Sequence, residues 1–154
     1  MMQSLEHRIP PPIVTLVFGV LMGLAGRWTP SLDLTLGTRW LLTLPVFCVG
    51  LFLVLAGGIS FRRARTTVNP LQPERASALV TSGIYRHTRN PMYAGFALFL
   101  LAWSLYLASP LALLGVAGFV LYINRFQIMP EERALAGLFA EDFSAYAARV
   151  RRWL

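Results

Sequence analysis

The run MYAGFALFLLAWSLYL (Met92–Leu107), the three residues ASP (Ala108–Pro110) and the run LALLGVAGFVLYINRFQI (Leu111–Ile128) decide the fold. Two apolar segments joined by three residues must turn straight back on each other, which predicts a tight antiparallel helical hairpin. Upstream, Trp40 to Phe61 reads as the clearest membrane span. Ile13 to about Trp28 is nearer the short end of what crosses a ~30 Å hydrocarbon core, where ~20 residues are typical. The expected fold is all-α: a polytopic membrane protein of about four transmembrane helices, the last two being the hairpin.

Composition points the same way. Of 154 residues, 56% are hydrophobic, arranged in long blocks rather than as a helical stripe, well above the apolar share of a soluble domain. All 14 basic residues are arginine. With four spans, 12 of them (Arg8; Arg62, Arg63, Arg65, Arg75, Arg86 and Arg89; Arg125, Arg133, Arg149, Arg151 and Arg152) share one side, and only Arg27 and Arg39 the other. The positive-inside rule then puts both termini and the middle loop in the cytoplasm, as in a bacterial inner membrane. The net charge of +7 flanks apolar blocks instead of forming a basic face with stacking aromatics, so nucleic acid is not an expected partner; membrane lipids are. Cys48 lies inside an apolar block without a partner, so no disulfide framework is expected. Glu6, His7 and Arg8 precede Pro10-Pro11-Pro12 and no A-x-A-like site follows the first run, which reads as a retained span rather than a signal peptide. Residues 1–61 are expected to form two N-terminal helices, and 62–154 a loop, the hairpin and a tail that carry the chemistry. Turn pairs Asn69-Pro70 and Gln72-Pro73 interrupt that loop.

The hairpin begins with more polar chemistry than anchoring needs: Ser82-Gly-Ile-Tyr-Arg-His-Thr-Arg-Asn-Pro-Met-Tyr-Ala-Gly95. Asn90-Pro91 reads as an N-cap followed by proline at the first helical position. The free amides of that helix end favour anionic groups, and Arg89 adds a fork shaped for a carboxylate or phosphate. Gly95 lets a backbone or a ligand approach closely. Taken singly, the arginines and Tyr93 also read as headgroup anchors and Gly95 as a helix-packing contact.

Beyond the hairpin, Pro130 is expected to break the helix. Leu135, Leu138, Phe139, Phe143, Tyr146 and Val150 then outline a C-terminal amphipathic helix, with Arg149, Arg151, Arg152 and Trp153 as its interfacial anchor. Glu131 and Glu132 open that helix. Alone they are a common dipole complement, worth under about 1 kcal/mol. The hairpin, however, returns them to the side from which Asn90 leaves. Cations, an amide, a phenol and two carboxylates at one mouth suit a polar zwitterionic ligand. His87 has no cluster around it for a metal, and no P-loop, dinucleotide glycine pattern or serine-histidine-acid set occurs.

These residues resemble a known family. Ser82-Gly83-Ile84-Tyr85 with Arg89-Asn90-Pro91-Met92-Tyr93-Ala94-Gly95 is similar to the R-H-P-x-Y-x-G motif of isoprenylcysteine carboxyl methyltransferases and to the R-N-P-M-Y form of bacterial relatives and phospholipid methyltransferases. Glu131-Glu132, Leu135, Phe139-Ala140 and Tyr146 resemble the family's E-E-x-x-L-x-x-x-F-G-x-x-Y-x-x-Y tail; Thr66-Thr67-Val68-Asn69-Pro70 and Leu79-Val80-Thr81 resemble its bacterial branch. The likeness runs from about Phe61 to Leu154. Asn90 stands in place of the family histidine, Ala140 in place of the tail glycine and Phe143 in place of a tyrosine.

The resemblance implies an integral-membrane methyltransferase using S-adenosyl-L-methionine and a lipophilic small-molecule or lipid acceptor. It implies cofactor binding by Tyr85, His87, Arg89, Asn90, Pro91, Tyr93, Gly95, Glu131, Glu132 and Tyr146. Arg125, Glu131 and Glu132 are the implied catalytic residues. A nicotinamide-dependent reductase like the membrane sterol reductases and a non-enzymatic scaffold of the same fold remain as alternatives. The acceptor atom and the oligomeric state are open.

Overall fold

The computed structural model describes residues 9–64 and 77–154. Arg8, Arg65, Arg75, the turn pairs Asn69-Pro70 and Gln72-Pro73 and the Thr66–Pro70 motif lie outside the described residues. The described residues form only helical elements: α1 (Pro11–Arg27), α2 (Leu36–Arg63), a 3-10 turn (Gly83–Arg86), α3 (Pro91–Leu107), α4 (Ala112–Ile123), a π turn (Asn124–Ile128) and α5 (Met129–Arg149). Among the described residues there is no sheet, only an isolated bridge between Thr88 and Arg151.

Local sequence explains the helix starts. Prolines occupy the first turns of α1 and α3, where a missing N–H costs nothing. Thr35 caps α2 by accepting from Thr38 N at 3.2 Å. The hairpin is as expected: α3 ends at Ala108 in the left-handed region (φ 51°), and Ser109-Pro110 lead into α4. The α1–α2 connection lies over this turn, with Leu32 N donating to Ala108 O at 2.7 Å and Thr29 Oγ1 bonded to Ser109 Oγ at 3.1 Å.

Packing among α1, α3 and α4 buries Val14, Met22, Leu100, Ala112, Phe119 and Ile123, continuous with Tyr93 and Ile128 below. Two glycines set the approach of α2 to α3. A Cβ built on Gly50 would lie 2.9 Å from Gly95 O, and one on Gly95 would lie 2.6 Å from Gly50 O and 2.6 Å from Val54 Cγ2. No larger residue fits that crossing.

The outward faces are apolar. α2 and the continuous helix from Ala112 are long and apolar enough to cross a bilayer, and α1 and α3 are shorter apolar helices of 17 residues. Only 22% of the most apolar stretch of α2 is buried within the fold, so Leu41, Leu44, Phe52 and Leu55 face outward. A contiguous apolar belt of this kind needs lipid around it. The protein is a membrane protein.

Two expectations about the tail need correction. Pro130 does not break the helix, because α5 follows the π turn without interruption and carries Pro130 in its first turn. The wider π spacing accommodates a residue that has no N–H to donate. The break falls ten residues later at Ala140, whose φ of 33° and ψ of −105° are non-helical. Beyond this kink the chain swings back, burying Phe143 and Tyr146 while Leu138 stays exposed. The expected apolar stripe is therefore shared between two differently directed segments.

Candidate functional site

The polar residues ahead of α3 are laid against the end of α2. Gly83 takes a left-handed φ of 63°, and a Cβ there would sit 2.8 Å from Ser60 Oγ. The turn it starts puts Tyr85 edge-on to Phe61, ring centroids 5.4 Å apart. His87 closes the turn through its backbone, donating to Ile84 O at 3.1 Å, and its side chain is exposed. Thr88 and Asn90 are buried instead.

These two buried residues bind the segment after α5. Thr88 Oγ1 donates to Arg152 O at 3.3 Å and accepts from Asn90 N at 3.2 Å; Asn90 Nδ2 donates to Arg152 O at 3.0 Å. Pro91 opens α3 as expected, but Asn90 does not cap it with its side chain. The amide is spent on the Arg152 carbonyl.

Arg89 is the hub. Its backbone N donates to Arg151 O at 2.9 Å. Nη1 reaches Ala147 O at 2.8 Å and Val150 O at 2.7 Å, while Nε and Nη2 meet Glu132 Oε1 at 3.2 and 2.8 Å. Glu132 also receives Arg152: Nη2 to Oε2 at 2.5 Å and Nε to Oε1 at 3.2 Å, with Arg152 Nη1 on Asn124 Oδ1 at 3.0 Å. Two guanidiniums thus share one carboxylate. The side chains of Arg89 and Glu132 are only 14% and 18% exposed, so that pair is far less screened than a surface pair, whereas Arg152 at 35% is more open to solvent.

Beside this network Tyr93 OH donates to Glu131 Oε1. Glu131 lies past the apolar run that ends at Ile128. Desolvation pushes its carboxyl up to about 8, the neighbouring Glu132 charge adds to the rise, and the Tyr93 bond opposes it. Tyr85 is held well above the ordinary phenol range by burial, with Glu131 and Tyr146 adding to it. Tyr146 OH donates to Tyr85 O at 2.8 Å. Kinked α5 is thereby tied to the loop ahead of α3.

Several sequence expectations change in this light. Arg89, Asn90, Tyr93, Glu131, Glu132, Tyr85 and Tyr146 do come together, although Asn90 is a strut rather than a cap. Gly95 faces α2 at the Gly50 crossing, so the side of it without a Cβ is closed to any ligand. His87 stands outside the buried network. Arg125 lies on the π turn with its guanidinium 5.5 Å from the Phe126 ring centroid, and the second arginine on Glu132 is Arg152. Arg152 reads in sequence as a lipid anchor, and Asn124 and Thr88 carry no signal at all. Gln127 carries no sequence signal either: it is fully buried on the π turn, Nε2 bonded to Ile9 O at 2.9 Å and Oε1 without a partner among the described residues.

Comparison with known proteins bears on this constellation. Residues 38–142 match the sequence profile of the phospholipid methyltransferase family. The chain belongs to that family. It is 30% identical over 116 residues to a probable protein-S-isoprenylcysteine O-methyltransferase of Oryza sativa subsp. indica, covering 69% of this chain and 59% of that protein. Protein-S-isoprenylcysteine O-methyltransferase B of Arabidopsis thaliana is 29% identical over 92 residues, 60% of this chain and 47% of that protein. The chain thus spans about half of each plant enzyme's length. An uncharacterized protein of Haemophilus influenzae is 49% identical over 63 residues, 41% of this chain and all of that one. No solved structure matches.

The phospholipid methyltransferase match starts within α2, upstream of the motifs. In this member of the family, Ala140 has a positive φ of 33°, a region that glycine, the residue of the resembled tail motif at this place, enters without strain. Asn90, in place of that motif's histidine, supplies one N–H to Arg152 O, a bond a ring N–H also makes.

Proposed function

We propose that the chain is an S-adenosyl-L-methionine-dependent integral-membrane methyltransferase acting on an isoprenoid or phospholipid-like acceptor. We place it in a bacterial inner membrane, with its site on the cytoplasmic side. The single observation that carries this reading is the convergence of Arg89, Tyr93, Glu131 and Glu132 at the polar end of a lipid-exposed hairpin. The 12-to-2 arginine asymmetry supports the orientation. Residues 62–154 supply the chemistry in this reading, and 1–61 the two helices that hold α3.

The donor set fits the cofactor. The carboxylate of Glu132 suits an ammonium and the protonated carboxyl of Glu131 suits ribose hydroxyls, and two guanidiniums against one ion-paired carboxylate leave one positive charge for the ligand's carboxylate. Tyr93 offers an aromatic face of the kind that attracts a sulfonium. When bound, the cofactor supplies a methyl group on a good leaving group. The protein's task is then orientation: the Arg89–Glu132–Arg152 network fixes the carboxylate, Tyr93 fixes Glu131, and the bilayer delivers a lipophilic acceptor. Well-oriented reactants gain about 7–11 kcal/mol of barrier reduction without a covalent intermediate. Arg125 and Glu131 remain our candidates for orienting the acceptor.

Calorimetric titration of the purified chain with S-adenosylhomocysteine and with NADPH tests the reading. We expect binding of the first only. Binding of NADPH alone would point to a reductase, and binding of neither would leave a scaffold.

A further inference from the structure

We propose that Arg152 is a positioning residue of this site, holding Glu132 with its side chain and Asn90 with its carbonyl. The inference rests on the cofactor reading above and deepens it. Three arginines close the described sequence, and basic residues next to a tryptophan at the edge of a membrane protein ordinarily contact headgroups. Their surroundings differ. Arg149 is exposed and bonds its own helix, Nε to Ala145 O at 3.2 Å, and Arg151 is exposed. Arg152 turns inward. Its fork spans two elements, meeting both oxygens of Glu132 on α5 and Oδ1 of Asn124 on the π turn.

The backbone of Arg152 is held just as firmly. Its carbonyl accepts from Thr88 Oγ1 and from Asn90 Nδ2, and the next residue, Trp153, packs against the core that contains Tyr93 and Ile128. One residue thus joins the loop ahead of α3, the π turn and the first turn of α5. Glu132 is consequently gripped by two arginines, Arg89 on Oε1 and Arg152 on both oxygens, which fixes the plane of its carboxylate. A carboxylate held by one arginine alone keeps a rotational freedom that must be lost when ligand binds, and pre-organisation removes that loss. Only a planar fork reaches Glu132 and Asn124 together; an ammonium is a point charge.

The test compares Arg152→Ala, Arg152→Lys and the exposed control Arg149→Ala in the full chain. Affinity for S-adenosylhomocysteine is measured by calorimetry well below each variant's melting temperature, and the melts are recorded alongside. Loss of a charge-assisted contact predicts about 10- to 100-fold weaker binding for Arg152→Ala. Arg152→Lys should stay folded and still bind several-fold more weakly, because it keeps the charge and loses the span. Arg149→Ala should bind as the unsubstituted chain does. A lowered melting temperature with unchanged affinity would make Arg152 merely structural, and complete rescue by lysine would reduce its role to charge; either overturns the proposal. Should Arg152→Ala fail to fold, the lysine variant decides. No binding by the unsubstituted chain overturns the cofactor reading and this inference with it.

Discussion

Replacing Gly95 by alanine separates a packing role from a ligand-binding role. The added Cβ would stand 2.6 Å from Gly50 O, 2.6 Å from Val54 Cγ2 and 3.2 Å from Val54 N. Two of those three atoms are backbone in the middle of a 28-residue helix, and cannot swing aside as a side-chain tip does. α2 and α3 must separate, and overpacking of this kind costs about 1–3 kcal/mol. For a chain of this size each kcal/mol lowers the melting temperature by roughly 2–4 °C, so a fall of about 2–12 °C is expected. Circular dichroism melts in one detergent measure it. Gly58→Ala is the control: its Cβ meets nothing within 4 Å among the described residues, and alanine in a helix interior gains about 0.5–1 kcal/mol over glycine. Gly50→Ala should behave like Gly95→Ala, since its Cβ would lie 2.9 Å from Gly95 O. The double variant should lose less than the two losses added, because both act on one crossing. An unchanged melting temperature for Gly95→Ala with loss of S-adenosylhomocysteine binding would rule out the packing role and restore Gly95 to the ligand.

Other perturbations read other parts of the structure. Ala140→Gly should stabilise the chain by about 1–2 kcal/mol by relieving a left-handed non-glycine residue, seen as a higher melting temperature; a lower one would contradict the kink. Arg89→Ala should reduce both fold stability and ligand affinity, since it strips donors from Glu132, Ala147 O and Val150 O at about 1.5–3 kcal/mol for bonds to a charged partner. A loss of affinity alone would show the tail contacts to be idle. Because Glu131 keeps its proton up to about pH 8 when folded but ionises near its ordinary value of 4.5 when unfolded, the folded state binds more protons in that window. Stability should fall as pH rises from about 4.5 to 8. Melts across that range check this, Glu131→Gln should flatten the slope, and Tyr93→Phe, which removes a bond that lowers the Glu131 value, should extend the decline to higher pH.

The sequence carried the hairpin plainly, because three residues between two apolar runs leave one geometry. Proline at the start of α3 and the meeting of Arg89 with Glu132 followed from that topology. Pro130 misled because a sequence pattern counts a missing N–H but not the π turn that absorbs it. Ala140 gave no warning of its kink, since alanine is ordinarily the best helix former. Arg152 was hidden for a different reason. Half of what it does is done by a backbone carbonyl, which every residue has, and the other half needs Asn124 brought beside Glu132 by a turn that composition does not announce. In sequence Gly95 suits a ligand or a packed helix equally, and the position of Gly50 on another helix decides for packing.

The 17 residues of α3 give a helix about 25 Å long, several ångströms short of a ~30 Å hydrocarbon core. A bilayer meeting so short an element thins around it. Under the proposed topology the headgroups are drawn down towards the Arg89 and Glu132 pair at the start of α3. In the proposed function a lipid acceptor would then meet the methyl donor by lateral diffusion, with its chains still in the membrane. Catalytic efficiency should therefore vary with acyl-chain length in reconstituted vesicles even when the acceptor itself is unchanged.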